Sequence, residues 1–360
     1  MKFHYGIHTK PRELWDQVTT EHPHVVAADT ETISLSDRTV LGIGVAVSTT
    51  DAFYLTADDP EYYKLIQILS NPAIPKVYHN ANFDLRVMRS EGVDSSNVHD
   101  TAIAARLKGI SGVLEEASFY TRTEVESAKS FMTRRGITHM DQADPADIAR
   151  KCCVDANATL KLYHYLDDVI QSDYYKVEQQ MFHILEQISQ RGIKIDAQRN
   201  EELDTYYTRE VSFYRTLCDN LGFNPASFFE VGYILSERGA FLPMGRGGRY
   251  LSTDEKTLNK VTAPDAVPVA QLVLLFRRDS RSLSTYVKPF EGQERGYTNL
   301  HMDAVTGRIN GTNAGKHEPH RNLLNITKRS DRHMPDHLRL RSQFIPDADE
   351  LTMADDSQVE

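Results

Sequence analysis

The chain has 360 residues, which is enough for two domains. Its composition, 40% hydrophobic and 26% charged, is ordinary for a soluble globular protein and excludes fibrous and disordered classes. The three cysteines, Cys152, Cys153 and Cys218, lack the paired spacing of a zinc site and indicate reduced thiols. No apolar run is long enough for a membrane helix, so we expect no membrane role and a cytoplasmic protein.

The charge is distributed unevenly along the chain. A formal net charge of −10 argues against nucleic-acid binding when it is taken over the whole sequence. Residues 240–343, however, contain 17 Lys and Arg against 10 Asp and Glu. Residues 240–343 are therefore basic and the remainder of the chain is acidic. The basic part makes binding to phosphate groups plausible despite the negative net charge.

The first half alternates between strand and helix patterns. Apolar runs bounded by turn residues predict strands at 24–29, 40–48, 52–55, 76–79 and 97–100. Helical patterns are predicted at 60–69, 82–90 and 145–169, the last with proline in its first turn. Three strands followed by alternation with helices predict an α/β domain with a mixed sheet.

The second half begins near residue 174, where the pattern becomes helical. Apolar residues recur at three- and four-residue steps over 177–190 and 199–221. The Gly-rich basic stretch 244–249 predicts an exposed loop, and short strands and loops are expected after residue 286.

Two carboxylates stand at the end of the first predicted strand. Asp29 and Glu31 are two residues apart, so their side chains point to the same side of an extended chain. Oxygen ligands on one face suit a hard divalent cation. When the pair is taken alone, a solvated strand end explains it better, since two acidic residues at this spacing occur often by chance.

Three more polar residues in later predicted helices and turns are candidates for the same site. Asn80 and Asp84 lie one turn apart where a predicted strand runs into a helix, and Asp155 lies inside the long helix. Each has a plain structural explanation, a helix cap for the asparagine and a solvated helix face for Asp155. The order of all three pieces along the chain is more specific than any one of them.

Together, Asp29-Thr-Glu31, His79-Asn-Ala-Asn-Phe-Asp84 and Val154-Asp-Ala-Asn157 resemble the three exonuclease motifs of family A DNA polymerases, the bacterial DNA polymerase I type. The resemblance implies a ribonuclease H-like domain with metal-dependent 3′-5′ exonuclease (proofreading) activity. It implies two Mg²⁺ or Mn²⁺ ions in the catalytic site: Asp29 bridging both, Glu31 and Asp155 completing one site, and Asp84 supporting the other.

One position departs from the family pattern. The family places tyrosine, which orients the attacking water, where this chain has Lys151. Lys151 stands one turn before Asp155, so the two can pair and compete with a metal ion. Two functions therefore stay open: a proofreading nuclease, or a catalytically weakened subunit that clamps primer-template DNA for a partner polymerase fragment. Asp100 matches another acidic position of the family, with a structural role as its alternative.

The resemblance extends over nearly the whole chain. It implies an exonuclease domain at 1–173, a mainly α-helical polymerase thumb at 174–290 and the start of an α+β palm at 291–360. Landmarks of the thumb are 190–196, 251–255 and 283–287, and 322–326 resembles a palm signature. The implied DNA contacts, to a single-stranded 3′ end and a primer-template duplex, are Asn80, Arg246, Arg249, Lys256, Lys260, Lys316, Asn322 and Asn325.

The last residues, 344–346 and 354–360, resemble polymerase motif A. By this match Asp355 is a catalytic metal ligand and Glu360 excludes ribonucleotides at the sugar 2′ position. No residues resembling the fingers follow in the sequence, so DNA synthesis is not expected from this chain alone. We expect a split polymerase completed by a second polypeptide with the fingers and remaining palm, an interrupted gene, or a fragment. The domain organisation resembles phage enzymes, for which the location is the host cytoplasm.

Overall fold

The computed structural model describes residues 2–5, 25–34, 37–93, 96–245, 247–302, 308–312, 322–326 and 335–348. Four predicted site residues lie outside these ranges: Arg246, Lys316, Asp355 and Glu360. The chain divides into two compact units, residues 1–187 with 301–309, and residues 188–300 with 310–360. Within the described ranges, no helix is long and apolar enough to cross a membrane.

The first unit is built on a six-stranded mixed sheet. Its strands are β1 (Lys2–Tyr5), β2 (Val26–Thr32), β3 (Val40–Ala46), β4 (Asp51–Thr56), β5 (Lys76–Tyr78) and β6 (Val98–Asp100). The spatial order is β1-β4-β3-β2-β5-β6. Strands β2, β3 and β4 pair antiparallel, whereas β5 runs parallel to β2 and to β6, and β1 runs parallel to β4. The three-strand meander and the mixed sheet agree with the sequence-based expectation.

Helices cover both faces of this sheet. They are Tyr62–Ser70, Asn82–Ser90, Thr101–Leu107, Leu114–Ala117, Ala128–Arg135, Pro145–Tyr165, Asp167–Ile170 and Asp173–Arg191. Alternate residues of β2 enter different cores: Val26 and Ala28 join the core with helices Tyr62–Ser70 and Asn82–Ser90, whereas Ala27 joins the core with helix Pro145–Tyr165. Position along β2 therefore decides which helix a side chain meets.

The long helix Pro145–Tyr165 begins with two standard signals. The Asp144 side chain accepts a hydrogen bond of 2.8 Å from the Ala146 backbone N–H, and Pro145 occupies the first turn, where its missing N–H costs no helical hydrogen bond. The helix ends four residues before the predicted Val169, because the chain leaves helical geometry at Leu166 before the short helix Asp167–Ile170. Leu166 is fully buried, so packing sets this break without a Gly or Pro signal.

One buried cation lies at the start of β5. Lys76 on β5 is fully buried, and its ammonium group donates a 2.7 Å hydrogen bond to the Asn71 backbone carbonyl. Burial lowers the pKa of Lys76 from 10.5 to about 8. Between pH 8 and pH 10.5 the Lys76 side chain is protonated in the unfolded chain and mostly neutral in the folded chain. The free energy of unfolding therefore rises as pH increases over this range, and this gain is lost as pH falls towards 8.

We therefore expect the free energy of unfolding of the wild type, relative to Lys76→Met, to rise by up to about 3 kcal/mol between pH 8 and 10.5. Urea titrations of both proteins across this range measure the difference. The same substitution at Lys129, an exposed residue of helix Ala128–Arg135, is the control and should leave the pH profile unchanged. A flat difference at Lys76 would contradict the expectation.

The second unit is mainly helical. Its longer helices are Ala197–Asn220, Phe228–Glu237 and Val267–Ser282, with the short helix Glu255–Leu258 and a π-helical turn at Leu283–Val287. Its strands are β7 (Ile193–Ile195), β8 (Arg295–Gly296), β9 (Asn299–His301), β10 (Asn310–Thr312) and β11 (Phe344–Ile345). Strands β11, β7 and β8 form an antiparallel sheet in that order, and β9 pairs with β10.

Buried amides tie this small sheet to the helices. Asn200 Nδ2 donates to Gln343 Oε1 at 2.8 Å, and Gln343 Nε2 donates to the Tyr286 carbonyl at 2.9 Å. Both amides are almost completely buried, so these bonds satisfy groups that water does not reach. They fix the segment that resembles the start of motif A beside helix Ala197–Asn220.

Candidate metal centre

The site forms where β2 passes the long helix. Asp29 and Glu31 share the face of β2 that carries Ala27, the face packed on helix Pro145–Tyr165. Asp29 is paired with Gly44 of the neighbouring strand β3. A Cβ atom at Gly44 would lie 2.9 Å from the Cys152 carbonyl oxygen, so the missing side chain permits the close approach of helix and sheet.

A lysine lies between two of the predicted carboxylates. Lys151 Nζ is 2.8 Å from Glu31 Oε1 and 2.6 Å from Asp155 Oδ2. Its side chain is 10% exposed, and the two carboxylate side chains are 7% exposed. The structure thus brings Glu31 and Asp155 to a single buried ammonium group, across 120 residues in one case and one helical turn in the other.

Asp84 is held on the other side of β2. Its Oδ1 accepts hydrogen bonds from the Thr30 backbone N–H at 3.0 Å and from the Thr30 hydroxyl at 2.7 Å. Thr30 stands between Asp29 and Glu31, and its side chain points to the opposite face of the strand. Asp84 is therefore fixed beside the acidic pair, without an ion pair to Lys151 among the described residues.

Asp100 organises the turn that leads to Asp84. Its carboxylate accepts hydrogen bonds from the backbone N–H groups of Asn80, Ala81 and Ala102, at 3.0, 3.0 and 2.8 Å. Asn80 has a φ of 62°, a left-handed conformation that asparagine tolerates better than most residues. Asp100 is thus used in backbone hydrogen bonds, which is the structural role left open by its sequence.

The carboxylates affect one another's protonation. Burial, followed by the charge of Asp155, raises the pKa of Asp29 well above its usual value, and Asp84 adds to the rise although Lys151 opposes it. Burial raises the pKa of Asp84 to about 7 and that of Asp155 to about 6, against the lowering effects of Thr30 and Lys151 respectively. The acidic group is therefore short of positive charge and partly holds protons instead.

The pKa of Lys151 rises as well, but for a lysine a higher pKa favours the charged form. Burial lowers its pKa, but the charges of Glu31, Asp155 and Asp29 outweigh burial and raise the pKa of Lys151 well above 10.5. Lys151 is therefore a permanent cation of the site at neutral pH.

A thiol also lies close to Asp29 and Glu31. Within the described ranges, Asp29, Glu31 and Cys152 each bring one ligand atom within 4.8 Å of the others. Cys152 Sγ donates to the Asp29 backbone carbonyl at 3.3 Å, and burial raises the pKa of this thiol well above 9.0. A protonated thiol is a poor ligand for a hard cation, so the oxygens of Asp29 and Glu31 remain as candidate ligands.

Apart from Asn80, the candidate DNA contacts that the structure describes belong to the second unit. Arg249, Lys256 and Lys260 are exposed in the second unit. Asn322 is used internally, since its Oδ1 accepts a 3.1 Å hydrogen bond from the Leu324 backbone N–H and its Nδ2 donates to the Gly311 carbonyl. Asn325 is exposed and lines a cavity of about 720 Å³ that is also lined by Arg277, Arg278 and Arg281.

Two residues of the site were not found by sequence reasoning. Thr30 fixes Asp84, yet its position between two acidic residues gave no sign of a partner 54 residues away. Gly44 sets the distance between helix and sheet, but nothing in the sequence separates it from the neighbouring Gly42. Only the pairing of Lys151 with Asp155 followed from local spacing.

Comparison with known proteins agrees with these features. A 3′-5′ exonuclease family of the DNA polymerase A type matches residues 9–171. The DNA polymerase I of Chloroflexus aurantiacus is 26% identical over 373 aligned residues, which cover 93% of this chain and 38% of the relative. The DNA polymerase I of Synechocystis sp. is 29% identical over 326 residues, which cover 82% of this chain and 31% of the relative. The chain thus spans about a third of the length of these curated relatives.

A solved structure gives the same fold over most of the chain. The POL domain of Pol1 from M. smegmatis, in complex with DNA primer-template and dNTP, matches with a TM-score of 0.67 and 19% sequence identity. The match covers 96% of this chain and 58% of that chain. It confirms the predicted fold class at the level of a mixed α/β, ribonuclease H-like domain followed by a mainly helical region. Residues 9–171 therefore match the 3′-5′ exonuclease domain of the DNA polymerase A type, and most of the chain is similar in sequence to part of bacterial DNA polymerase I.

Proposed function

We propose that this chain is a metal-dependent 3′-5′ exonuclease that removes nucleotides from DNA ends, the proofreading function of a family A DNA polymerase. The observation that carries the proposal is a buried group of carboxylates with too few cations. Asp29 forms no ion pair in the part of the chain that the structure describes, and Asp155 Oδ1 is buried without a hydrogen-bond partner there. Carboxylate oxygens that lack an ion pair or a hydrogen-bond donor are suitable ligands for a hard divalent cation.

Asp29, Glu31, Asp84 and Asp155 are the residues that would hold Mg²⁺ or Mn²⁺. A bound ion of this kind supplies a hydroxide near neutral pH and positive charge opposite the departing 3′ oxygen. Thr30 holds the Asp84 carboxylate in place through two hydrogen bonds. Asp100 fixes the turn before Asp84, so the chain orients its own ligands before any ion arrives.

The DNA itself would be held by other residues. We propose phosphate contacts for the exposed Arg249, Lys256 and Lys260, because neutralised phosphates provide most of the affinity of proteins for DNA. Asn80 and Asn325 are proposed to contact the single-stranded end and the duplex respectively. The thumb and palm assignments of 174–290 and 291–360 belong to the same proposal. DNA synthesis would further need finger residues, in the same or a second polypeptide.

The decisive experiment uses single-stranded DNA labelled at its 5′ end. With Mg²⁺ or Mn²⁺ the purified protein should give a ladder of products shortened from the 3′ end, and excess EDTA should abolish the reaction. Circular single-stranded DNA, which has no end, is the matched control and should stay intact. A protein that degrades linear DNA with neither metal would overturn the proposal.

One observation favours a second function. Because Lys151 occupies carboxylate oxygens of Glu31 and Asp155, the nuclease can be weakened while the DNA-binding surface remains. The chain would then clamp primer-template DNA for a partner polymerase fragment. Tight, salt-sensitive duplex binding without hydrolysis under either metal would favour this function over the first.

A further inference from the structure

We infer that Lys151 permanently takes the place of one of the two cations, so that the exonuclease site binds a single divalent ion. This inference rests on the proposed metal-dependent function and concerns how many ions the site accepts. The residue pair that the family pattern assigns to one ion, Glu31 with Asp155, is the pair that the ammonium group of Lys151 joins.

The geometry leaves little freedom for this lysine. Two of the three ammonium protons point to carboxylate oxygens, at 2.8 Å from Glu31 and 2.6 Å from Asp155. The side chain is only 10% exposed, so little of it faces solvent. Withdrawal would leave two buried carboxylates unpaired, a change that is strongly destabilising.

A divalent ion and the ammonium group cannot both fill the gap between these oxygens. Mg²⁺ requires oxygen ligands at about 2.0–2.1 Å in near-octahedral geometry, so an ion that bridged Glu31 and Asp155 would have to displace the Lys151 nitrogen. Like charges at such a short separation would also repel strongly in a buried site. The lysine therefore excludes an ion from this half of the site.

The other half of the site stays open. The Asp29 carboxylate forms no ion pair within the described ranges, and two hydrogen bonds to the adjacent Thr30 hold the Asp84 carboxylate beside it. One divalent ion at Asp29 would therefore give the site two cations. The divalent ion exchanges with solvent, whereas the ammonium group of Lys151 is part of the chain. Lys151 contributes its charge without contributing a metal-bound water.

The number of bound ions tests this inference directly. Isothermal titration calorimetry with Mn²⁺, together with electron paramagnetic resonance of the free ion, should give one Mn²⁺ per wild-type chain. Lys151→Met keeps most of the side chain and removes its charge, so it should bind a second Mn²⁺. Lys151→Arg keeps a cation between the carboxylates and should bind one, as the wild type does.

The possible outcomes separate the inference from the proposed function. Two ions in the wild type, or one in a folded Lys151→Met protein, would overturn the inference and leave the metal-dependent nuclease intact. No Mn²⁺ bound by the wild type would overturn both. If Lys151→Met fails to fold, Lys151→Gln is the substitute, and the wild-type count alone still decides whether one or two ions bind.

Discussion

The double substitution of Asp29→Ala with Glu31→Ala is expected to lower the exonuclease rate at least about a thousandfold, which corresponds to roughly 4 kcal/mol of activation free energy. Both side chains lie on the face of β2 that meets helix Pro145–Tyr165, and Asp29 is the carboxylate on which the other three act. Without them Asp155 still pairs with Lys151, but the open part of the metal site is lost. The measurement is the initial rate of 3′ shortening at saturating Mn²⁺.

A matched double substitution shows whether charge alone explains the loss. Asp58 and Glu116 are exposed acidic residues of the same unit, outside the group of carboxylates. Replacing both with alanine removes the same formal charge and should leave the rate within about twofold. The fold of each variant is checked by thermal unfolding without metal. A double variant at Asp29 and Glu31 that keeps the wild-type rate would exclude these residues from the reaction.

The sequence predicted best those elements whose ends are marked locally. Helix Asn82–Ser90 has the predicted bounds, since Asn80 with a φ of 62° precedes it and Gly92 with a φ of 76° follows it. The cap position, however, is Ala81, and neither Asn80 nor Asn82 provides the predicted side-chain cap. Strand β2 was predicted to end at Asp29 but continues to Thr32, because Thr30, Glu31 and Thr32 pair with β3. Polar residues carry no strand pattern of their own, so only tertiary pairing extends the strand through them.

The contacts of the candidate site also differ in whether local sequence predicts them. The pairing of Lys151 with Asp155 follows from helical spacing, whereas its contact with Glu31 depends on how helix Pro145–Tyr165 packs on the sheet. The bonds from Thr30 to Asp84 likewise depend on the placement of helix Asn82–Ser90. Motif order identified the acidic residues, but the position of the lysine between two of them is a property of packing and required coordinates.

Gly44 provides the strongest test of this packing. A Cβ atom there would lie 2.9 Å from the Cys152 carbonyl oxygen and 2.9 Å from Cys152 Sγ, distances that real Cβ atoms essentially never show. Because the obstacle includes helix backbone, the helix has to move. Gly44→Ala is expected to destabilise the fold by about 2 kcal/mol, and the larger Gly44→Val by about 3 kcal/mol or more. Urea unfolding measures both values.

Movement of the helix should also change the chemistry, since Asp155 and Lys151 are on it and Asp29 and Glu31 are on the sheet. A displacement near 1 Å costs up to about a hundredfold in rate when it separates catalytic groups, so Gly44→Ala should lose activity beyond its loss of folded protein. Gly247→Ala is the control, because a Cβ atom at Gly247 meets nothing within 4 Å. Wild-type stability and rate in Gly44→Ala would show that helix and sheet tolerate a wider separation, and that Gly44 does not set the geometry of the carboxylates.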